Sequence, residues 1–534
     1  MPSAMGHHHR SRREILNGIS VLGTGSLLLP ALGQRPDTTA PAILRGRIED
    51  QAGKPVAAKI RVVESATSRE YLPEKAIKTM PARPGDPDIR RYFYAKGNYE
   101  IAVPPGRYRI EVVRGIAHEE AVQWSEVGSG ITHVHDFRIE PLRQWRGPGA
   151  ANWYSGNTHT HYHLEIDEDP DERLRMVPPA EALDISVISY LIRNDAPYIT
   201  NRYPIGRLPQ FSRDGTIMDM GEEARNNRTF GEFGYGHVLF LNIPRAVEPV
   251  STGLLSPDGR APDFPTLTML CEQVRGMGGT TIWCHNGSGM EVPVAVALGQ
   301  VDAYNLADGL DADYQRYYQF LNCGFRLPTS SGTDWWIYDH NRVYAQVEGA
   351  LTYESWLAAV KAGRTFVSNG PLLDLRVGDH GPGSSVNVEG VVEVKVRAVS
   401  RVPFDRLELV RDGHVVAEQV SRDGVAAIEY DLAADHGGWI AARVFSRAKS
   451  HGGTRVFAHT GPVYYRVPGT PFRRAEAAGA FIDEIENSVR LIRKTFRFAK
   501  DADRATALGR FDDARAAYAR LAEGRREAAS GAKL

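Results

Sequence analysis

The sequence predicts a multidomain chain in which an α/β region is flanked by two β regions and followed by helices. Apolar and polar residues alternate with the period of two that strands show in residues 43–142, and again in residues 373–467. Between these stretches, short apolar runs alternate with helical patterns, which indicates strands interleaved with helices. At 534 residues, the chain is too long for one core and should divide into about three or four domains.

Residues 1–33 resemble an export signal. The paired arginines Arg12 and Arg13 precede a short, weakly apolar stretch that ends in small residues, a pattern similar to that of twin-arginine signals. We therefore expect the twin-arginine export machinery as a partner, and a mature protein that begins near Gln34 and is periplasmic or secreted. An uncleaved anchor is the alternative, which Pro30 and the glycines of this stretch disfavour. After cleavage, no association with a membrane is expected.

Each predicted domain has its own pattern. In residues 40–143, alternation on both sides of a Pro-Pro-Gly turn predicts a β-sandwich that resembles the carboxypeptidase-regulatory-like module. Residues 150–372 hold buried-strand runs such as LDISVISYLI and helical patterns such as YESWLAAVKAG. In residues 373–468, renewed alternation and the Asp412-Gly413 turn predict a second β-sandwich. Residues 469–534 are predicted to be helical, because five apolar residues share one stripe at helical spacing: Phe481, Ile485, Val489, Ile492 and Phe496.

The composition excludes some classes of partner. With a formal net charge of −1, the chain offers no electrostatic case for binding nucleic acid or an anionic membrane. Cys271, Cys284 and Cys323 are odd in number and lack Cys-x-x-Cys spacing, so they predict buried free thiols. A small-molecule substrate is the partner that we expect, and the oligomeric state is left open.

The histidines of GNTHTHYH are the first chemical signal. His159, His161 and His163 stand at every second position, so on a strand they would share one face. Imidazole nitrogens are common ligands of transition metals. A polar edge strand that faces water is the alternative for this spacing alone.

Further ligand-type residues stand beside apolar runs of the same α/β region. They comprise the pair Glu222 and Glu223 after a glycine, His237 before one apolar run, His285 after another, and Asp334 after a Ser-Ser-Gly turn. Functional groups of α/β folds gather where the carboxyl ends of strands meet, so the joint pattern predicts one shared site.

Each residue also has a structural alternative. His237 or His285 alone fits a hydrogen-bonded structural histidine, and the two glutamates fit a solvated pair in a loop. Asp334 alone fits a cap of a turn or helix. His237, at the start of a run, fits placement at a strand end less well than the others do.

At these residues the sequence resembles the CehA/McbA (carbaryl-hydrolase-like) metallohydrolases of the polymerase-and-histidinol-phosphatase (PHP) superfamily. GNTHTHYH is similar to the family's G-D-x-H-x-H opening, FLNCGFRLPTSSGTD to its LLNCGFRLPxSxGSD segment, and the run from Trp356 to Pro371 to a stretch typical of its larger members. The resemblance implies that the central domain is a distorted PHP-type (β/α)7 barrel with divalent metals at the strand ends.

The resemblance also implies roles for single residues. His159 and His161 would bind a first metal together with Glu223 and Asp334. Glu223 would bridge to a second metal, whose other ligands would be His237 and His285. The Thr-Asp-His motif of a third metal is missing here, so we expect one or two divalent ions, with zinc, manganese and iron all compatible with the ligands.

The predicted function is metal-dependent hydrolysis of an ester, carbamate or amide bond by metal-bound hydroxide. A divalent ion can lower the pKa of bound water from ~16 towards ~7. Glu223 and Asp334 are predicted to be catalytic, and Arg342 to stabilise developing negative charge, with a salt bridge within the domain as the alternative for Arg342. The rival predictions are a PHP-type phosphoesterase and a non-catalytic exported protein with a degenerate metal site.

Overall fold

Contacts divide the chain into two units, Met1–Thr39 and Ala40–Leu534. The computed structural model describes residues 40–523 except 81–88, 146–151, 163–167, 193–197, 227–233, 309–310, 338–339 and 471–474. The predicted export signal at 1–33 and the predicted site residue His163 lie outside the described residues. The described part is α/β in its centre and β-rich on both sides, which confirms the coarse fold class. The domain boundaries within the second unit stay predictions.

The described residues of the N-terminal β region form nine strands in two sheets. They are β1 (Ala42–Asp50), β2 (Ala57–Glu64), β3 (Glu70–Tyr71), β4 (Phe93–Lys96), β5 (Asn98–Val103), β6 (Gly106–Val113), β7 (Ala121–Val127), β8 (Thr132–Val134) and β9 (Phe137–Ile139). One sheet has the order β5-β1-β8, with β9 also paired to β1, and the other has the order β3-β2-β6-β7, with β4 paired to β2. Alternate residues of both sheets, such as Leu44 and Ile60, meet in one apolar cluster, which explains the period of two.

The central region contains twelve of the described strands and five of the described helices. The strands are β10 (Trp153–Asn157), β11 (Thr160–His161), β12 (Ile185–Tyr190), β13 (Gly206–Arg207), β14 (Ile217–Arg225), β15 (His237–Leu241), β16 (Thr280–Trp283), β17 (Ala303–Asn305), β18 (Thr329–Ser330), β19 (Asp334–Trp335), β20 (Arg342–Gln346) and β21 (Thr365–Ser368). The helices are α1 (Pro170–Ala180), α2 (Leu267–Gly276), α3 (Val292–Ala297), α4 (Gln315–Asn322) and α5 (Tyr353–Lys361). Strands β12, β15 and β16 are buried on both faces or nearly so, as strands covered by other elements on each side must be.

The central sheet is an open path, and no closed barrel is found among the described residues. Its order is β18-β17-β16-β15-β14-β12-β10-β20-β21. β10 pairs with β12 on one side and antiparallel with β20 on the other. Just beyond the ends of β10 and β18, the backbone N–H and the hydroxyl of Thr158 donate to the carbonyl of Ser331 at 3.5 and 3.0 Å, but the two strands do not pair. The predicted (β/α)7 barrel is therefore not confirmed, because β20 takes the place beside β10 that closure would give to β18.

The C-terminal β region continues this sheet. Its strands are β22 (Leu372–Val377), β23 (Ser385–Asn387), β24 (Val391–Val399), β25 (Arg406–Arg411), β26 (His414–Val420), β27 (Val425–Ala433), β28 (Gly438–Phe445), β29 (Ala458–Thr460) and β30 (Val463–Arg466). β21 pairs with β29, which leads to β28, β25 and β26, while β22, β24 and β27 form a separate sheet that shares an apolar cluster with this extension. The predicted hairpin turn at Asp412-Gly413 is confirmed: both residues have positive φ, 51° and 92°, between the paired Arg411 and His414.

Two long helices, α6 (Ala475–Thr495) and α7 (Asp501–Ala522), pack against the central region. The predicted stripe is confirmed, since Phe481, Ile485 and Ile492 are buried in the central cluster and Phe481 stacks on Phe320 with 4.4 Å between ring centroids. The three cysteines are buried and free, as predicted. No helix in the described ranges combines the length and apolar character that crossing a lipid bilayer requires.

Candidate metal centre

Two short strands and the break between them position the first two histidines. β10 ends at Asn157 and β11 begins at Thr160, so GNTHTHYH is not one continuous strand. His159 lies in the break, where its carbonyl accepts hydrogen bonds from the backbone N–H groups of Thr333 and Asp334 at 3.1 and 3.0 Å. β11 then pairs in parallel with β19, Thr160 opposite Asp334. Backbone hydrogen bonds thus join the histidine segment to the distant aspartate segment.

A glycine permits this close approach. A Cβ atom added at Gly332 would lie 2.5 Å from the Cβ of His159 and 2.8 Å from its backbone nitrogen. Both separations are well inside van der Waals contact, so a larger residue at 332 would displace His159. Gly332 is therefore a packing requirement of the histidine segment.

The ring nitrogens of His159 and His161 face each other. Nδ1 of His159 donates to Oδ2 of Asp308 at 2.9 Å, and Nδ1 of His161 donates to the carbonyl of Ser189 at 3.0 Å. With both hydrogens assigned to Nδ1, both Nε2 atoms present lone pairs, yet they are 2.9 Å apart. Lone pairs at this separation repel, so either a proton or a metal cation must lie between them.

Glu223 stands between two groups of histidines. Its Oε2 lies 2.8 Å from Nε2 of His161 and 3.4 Å from Nε2 of His159. Its Oε1 lies 3.1 Å from Nδ1 of His237 and 3.4 Å from Nε2 of His285. The residue is 2% exposed, so these contacts form in a site with little water.

His237 reaches the centre because β15 runs antiparallel to β14. Its position at the start of β15 lies opposite Arg225, the last residue of β14. The start of one strand and the end of its neighbour therefore meet at the same edge. The expectation that His237 fits less well assumed parallel neighbours, and that assumption is wrong here. Burial, followed by the charge of Arg225, lowers the pKa of His237 to about 3.

Two aspartates complete the centre. Oδ1 of Asp334 lies 3.5 and 3.7 Å from Nε2 of His159 and of His161, and this buried atom has no hydrogen-bond partner among the described residues. Asp308, which is not among the ligands predicted from the sequence, is fully buried, and its Oδ2 also lies 3.6 Å from Nδ1 of His285. The sequence carries a signal for it, because the run AYNLAD begins with the buried strand β17 and ends in an aspartate three residues after that strand.

The charges of the centre shift the pKa values of its members. Burial lowers the pKa of His159, but Asp308, Asp334 and Glu223 outweigh burial and raise that pKa well above its usual value. Burial keeps the pKa of the adjacent His161 below its usual value. Burial raises the pKa of Asp308, but His159 outweighs it and brings that pKa down to about 2. Without metal, the histidine pair therefore holds one proton, and a cation would compete with that proton for the same lone pairs.

The donor atoms fit a divalent ion. With bonds of about 2.1 Å, two ligands lie about 3.0 Å apart at a right angle and about 3.4 Å apart at the tetrahedral angle. The Nε2 atoms of His159 and His161 lie 2.8 to 3.7 Å from each other and from the nearest oxygens of Glu223 and Asp334. Two further sets have one donor atom of each member within 4.8 Å of the others: Glu223, His237 and His285, and then His159, Cys284, His285 and Asp308. All six predicted ligands are thus brought together, and their coordination of metal stays a prediction.

Arg342, predicted to be catalytic, is engaged elsewhere. Its hydrogen bonds and ion pairs go to Glu181 and His340: Nη1 donates to the carbonyl of Glu181, and Nη2 lies 3.0 Å from Nδ1 of His340. Lys59, from β2, donates to Oε1 of Glu181 at 2.9 Å. These contacts match the salt-bridge alternative and tie the N-terminal β region to the central one. A catalytic role for Arg342 stays a prediction that they do not favour.

Glu222 and Cys284, the sequence neighbours of the ligand candidates Glu223 and His285, have no predicted role as ligands. Glu222 is buried like Glu223, so the alternative of a solvated glutamate pair is wrong. On the opposite face of β14, Oε2 of Glu222 accepts from the backbone N–H of Val247 at 2.8 Å, and burial raises the pKa of Glu222 to about 8. Burial also raises the pKa of the Cys284 thiol well above its usual value.

Comparison with known proteins identifies no family. No family model and no curated protein matches the sequence. A two-domain protein from Bacteroides vulgatus ATCC 8482 that contains a predicted PHP-like metal-dependent phosphoesterase is similar in structure over 58% of this chain and 97% of its own, at 12% identity and a TM-score of 0.33. The Bacillus anthracis TIE protein is matched over 80% of this chain and 50% of its own, at 8% identity and a TM-score of 0.14. A glycosyl hydrolase family 2 member from Bacteroides cellulosilyticus DSM 14838 is matched over 78% and 59%, at 12% identity and a TM-score of 0.18. Such low TM-scores establish neither a shared fold nor an activity.

Proposed function

We propose that this protein is a metal-dependent hydrolase that cleaves an ester, carbamate or amide bond. The observation that carries the proposal is the pair of Nε2 lone pairs of His159 and His161, 2.9 Å apart, beside the unpartnered Oδ1 of Asp334. Buried hydrogen-bond acceptors that face one another without matching donors raise the free energy of the folded state unless a cation lies between them. The sequence motifs that resemble the CehA/McbA metallohydrolases support the same proposal.

The residues around the gap have separate tasks. Asp308 and the carbonyl of Ser189 hold the imidazoles of His159 and His161 in the tautomer that offers Nε2. A bound divalent ion supplies an activated water and polarises the oxygen of the bond to be cleaved. The side chain of Asp334 is 13% exposed, whereas those of His159, His161 and Glu223 are 0% exposed. The side chain of His285 is 12% exposed, so substrate and water would reach the centre beside Asp334 and His285. The carboxylate of Asp334 would then accept the proton of the attacking water.

The ion pairs that two arginines form within the protein favour a substrate of low charge. Arg225 donates to both oxygens of Glu223, and Arg342 is bound to Glu181 and His340. Neither guanidinium is available to neutralise a phosphate dianion. An ester, carbamate or amide fits this charge distribution better than a phosphomonoester does, although the same metal chemistry serves both.

Export belongs to the same proposal. The twin-arginine-like pattern of residues 1–33 addresses a folded cargo to the export machinery. A protein exported after folding would acquire its metal in the cytoplasm and act in the periplasm or outside the cell.

Elemental analysis of the purified protein, combined with a panel of chromogenic carboxyl and phosphate esters, tests the proposal. We expect at least one divalent ion per chain and faster turnover of the carboxyl esters. Substitutions His161→Ala and Asp334→Asn should each lower turnover about a hundredfold or more, while the matched control His414→Ala, at an exposed position of β26, should leave it unchanged.

Three results would contradict the proposal. Full activity in protein stripped of metal would exclude a metal-dependent reaction. Faster turnover of phosphate esters would favour the phosphoesterase alternative. Tight metal binding without turnover of any ester would favour a non-catalytic exported protein with a degenerate site.

A further inference from the structure

Arg225 is part of the centre although it is not among the predicted ligands or catalytic residues. It lies two residues after Glu223 on β14, so both side chains point to the same face of the strand. Its Nε donates to Oε1 and its Nη2 to Oε2 of Glu223, both at 2.9 Å, and Arg225 is only 4% exposed. This is the two-pronged pairing that guanidinium and carboxylate groups form most strongly.

The pairing sets the net charge of the centre. Among the described residues of the centre, the three carboxylates of Glu223, Asp308 and Asp334 face one guanidinium, which leaves a net charge of minus two when the histidines are neutral ligands. One divalent ion balances this charge, whereas two would leave a buried excess of plus two. Uncompensated charge in a buried site is strongly unfavourable.

The position of Arg225 decides which set of ligands is weakened. Glu223 is the only carboxylate in the set that it forms with His237 and His285, whereas the set with His159 and His161 also contains Asp334. Arg225 already neutralises Glu223, so the set with His237 and His285 offers an ion two imidazoles and no net negative charge. The set with His159 and His161 keeps the full negative charge of Asp334.

We infer that Arg225 restricts the centre to a single divalent ion, which His159, His161, Glu223 and Asp334 would hold, because its guanidinium already neutralises the carboxylate that a second ion would have to share. The inference rests on the proposed metal dependence of the protein. It adds a residue that fixes the number of ions, which the predicted range of one or two left open.

The number of ions per chain tests the inference. Full-length protein is equilibrated with excess Zn²⁺, freed of unbound ion by gel filtration and measured by mass spectrometry of the elements. We expect about one ion in the wild type, about one in Arg225→Lys, which keeps the charge, and about two in Arg225→Met. Combining Arg225→Met with His237→Ala should return the number to about one, because it removes a ligand of the second position.

A titration of the wild type with Co²⁺, followed by the visible absorption of the bound ion, does not depend on the folding of any variant. Saturation at one equivalent is expected, and saturation at two would overturn the inference. A folded Arg225→Met variant that still binds one ion would also overturn it. Two bound ions together with ester hydrolysis would contradict this inference and support the proposed function. One bound ion without ester hydrolysis would support this inference and contradict the proposed function.

Discussion

Replacing Asp308 with asparagine should weaken metal binding without disturbing the fold. Asp308 is fully buried, and its Oδ2 accepts the Nδ1 hydrogen of His159 at 2.9 Å. Through this hydrogen bond it fixes the tautomer that leaves the Nε2 lone pair of His159 for a cation. Asparagine has nearly the same shape, so Asp308→Asn removes the charge and adds no volume.

The size of the effect follows from the hydrogen bond that changes. A hydrogen bond to a charged group contributes about 1.5–3 kcal/mol and one between neutral groups about 0.5–1.5 kcal/mol. Their difference of about 1–1.5 kcal/mol corresponds to roughly a tenfold weaker Kd for the metal, at the lower end of the 10- to 100-fold range typical of residues that orient metal ligands. An asparagine that turns its NH2 group towards His159 would cause a larger loss, because it would impose the wrong tautomer.

Competition with a chromophoric chelator at neutral pH measures this Kd. The matched control is Asp302→Asn, at the opposite end of β17, where Oδ2 of Asp302 accepts from the backbone N–H of Thr281 at 2.9 Å. We expect the control to keep the wild-type Kd. Equal Kd values for Asp308→Asn and the wild type would refute the reasoning, since they would mean that Asp308 does not prepare His159 for a cation.

Three further changes have defined outcomes. Gly332→Ala would press a methyl group against His159, which should lower the unfolding free energy by about 1–3 kcal/mol and abolish metal binding. Full metal content of this variant in elemental analysis would contradict the prediction. Glu181→Ala would leave the buried ammonium of Lys59 without its carboxylate and should lower the unfolding free energy in urea by about 3–5 kcal/mol, so a loss below about 1 kcal/mol would show that the pair is not buried as described. Burial lowers the pKa of His459 to about 3, so below about pH 6.5 the unfolded chain binds a proton that the folded chain does not, and stability falls as the pH falls. Between pH 6 and 4, this contribution of His459 should make the unfolding free energy of the wild type fall more steeply than that of His459→Gln, by about 1.4 kcal/mol per pH unit. Equal slopes of unfolding free energy against pH in the two proteins would contradict the prediction.

The ends of apolar runs located most of the centre in advance, and the reason is geometric. A run such as TTIWC is apolar because its strand is buried, and the first polar residue after it, His285, lies where the sheet meets its edge. Asp308 also follows a buried strand, three residues after the end of β17, whereas Glu223 lies inside β14. The helical tail was readable for a similar reason, since one apolar stripe on α6 faces one apolar cluster.

Strand direction and strand partners could not be read in this way. The pattern of an apolar strand is the same whether its neighbour is parallel or antiparallel. The sequence therefore did not show that His237, at the start of its strand, lies at the same edge of the sheet as the other candidate ligands. Closure of the sheet depends on which strand lies beside β10, and that is decided by contacts between residues far apart in sequence, such as Trp153 with Gln346. The resemblance implied a barrel, whereas the pairing with β20 opens the sheet towards the C-terminal region.

The two buried arginines show where a local pattern is enough and where it fails. Glu223 and Arg225 are separated by one residue on a strand, so the sequence GEEAR already places the carboxylate and the guanidinium on one face. The carboxylate that binds Arg342 belongs to Glu181, which is 161 residues away, and nothing near Arg342 predicts it. The charge that we infer to limit the number of ions therefore belongs to two residues that are near neighbours in the sequence. The guanidinium of Arg342, for which a role at the substrate stays a prediction, pairs in the structure with Glu181 between β2, α1 and β20, because a buried guanidinium is stable only where the tertiary structure brings it a carboxylate.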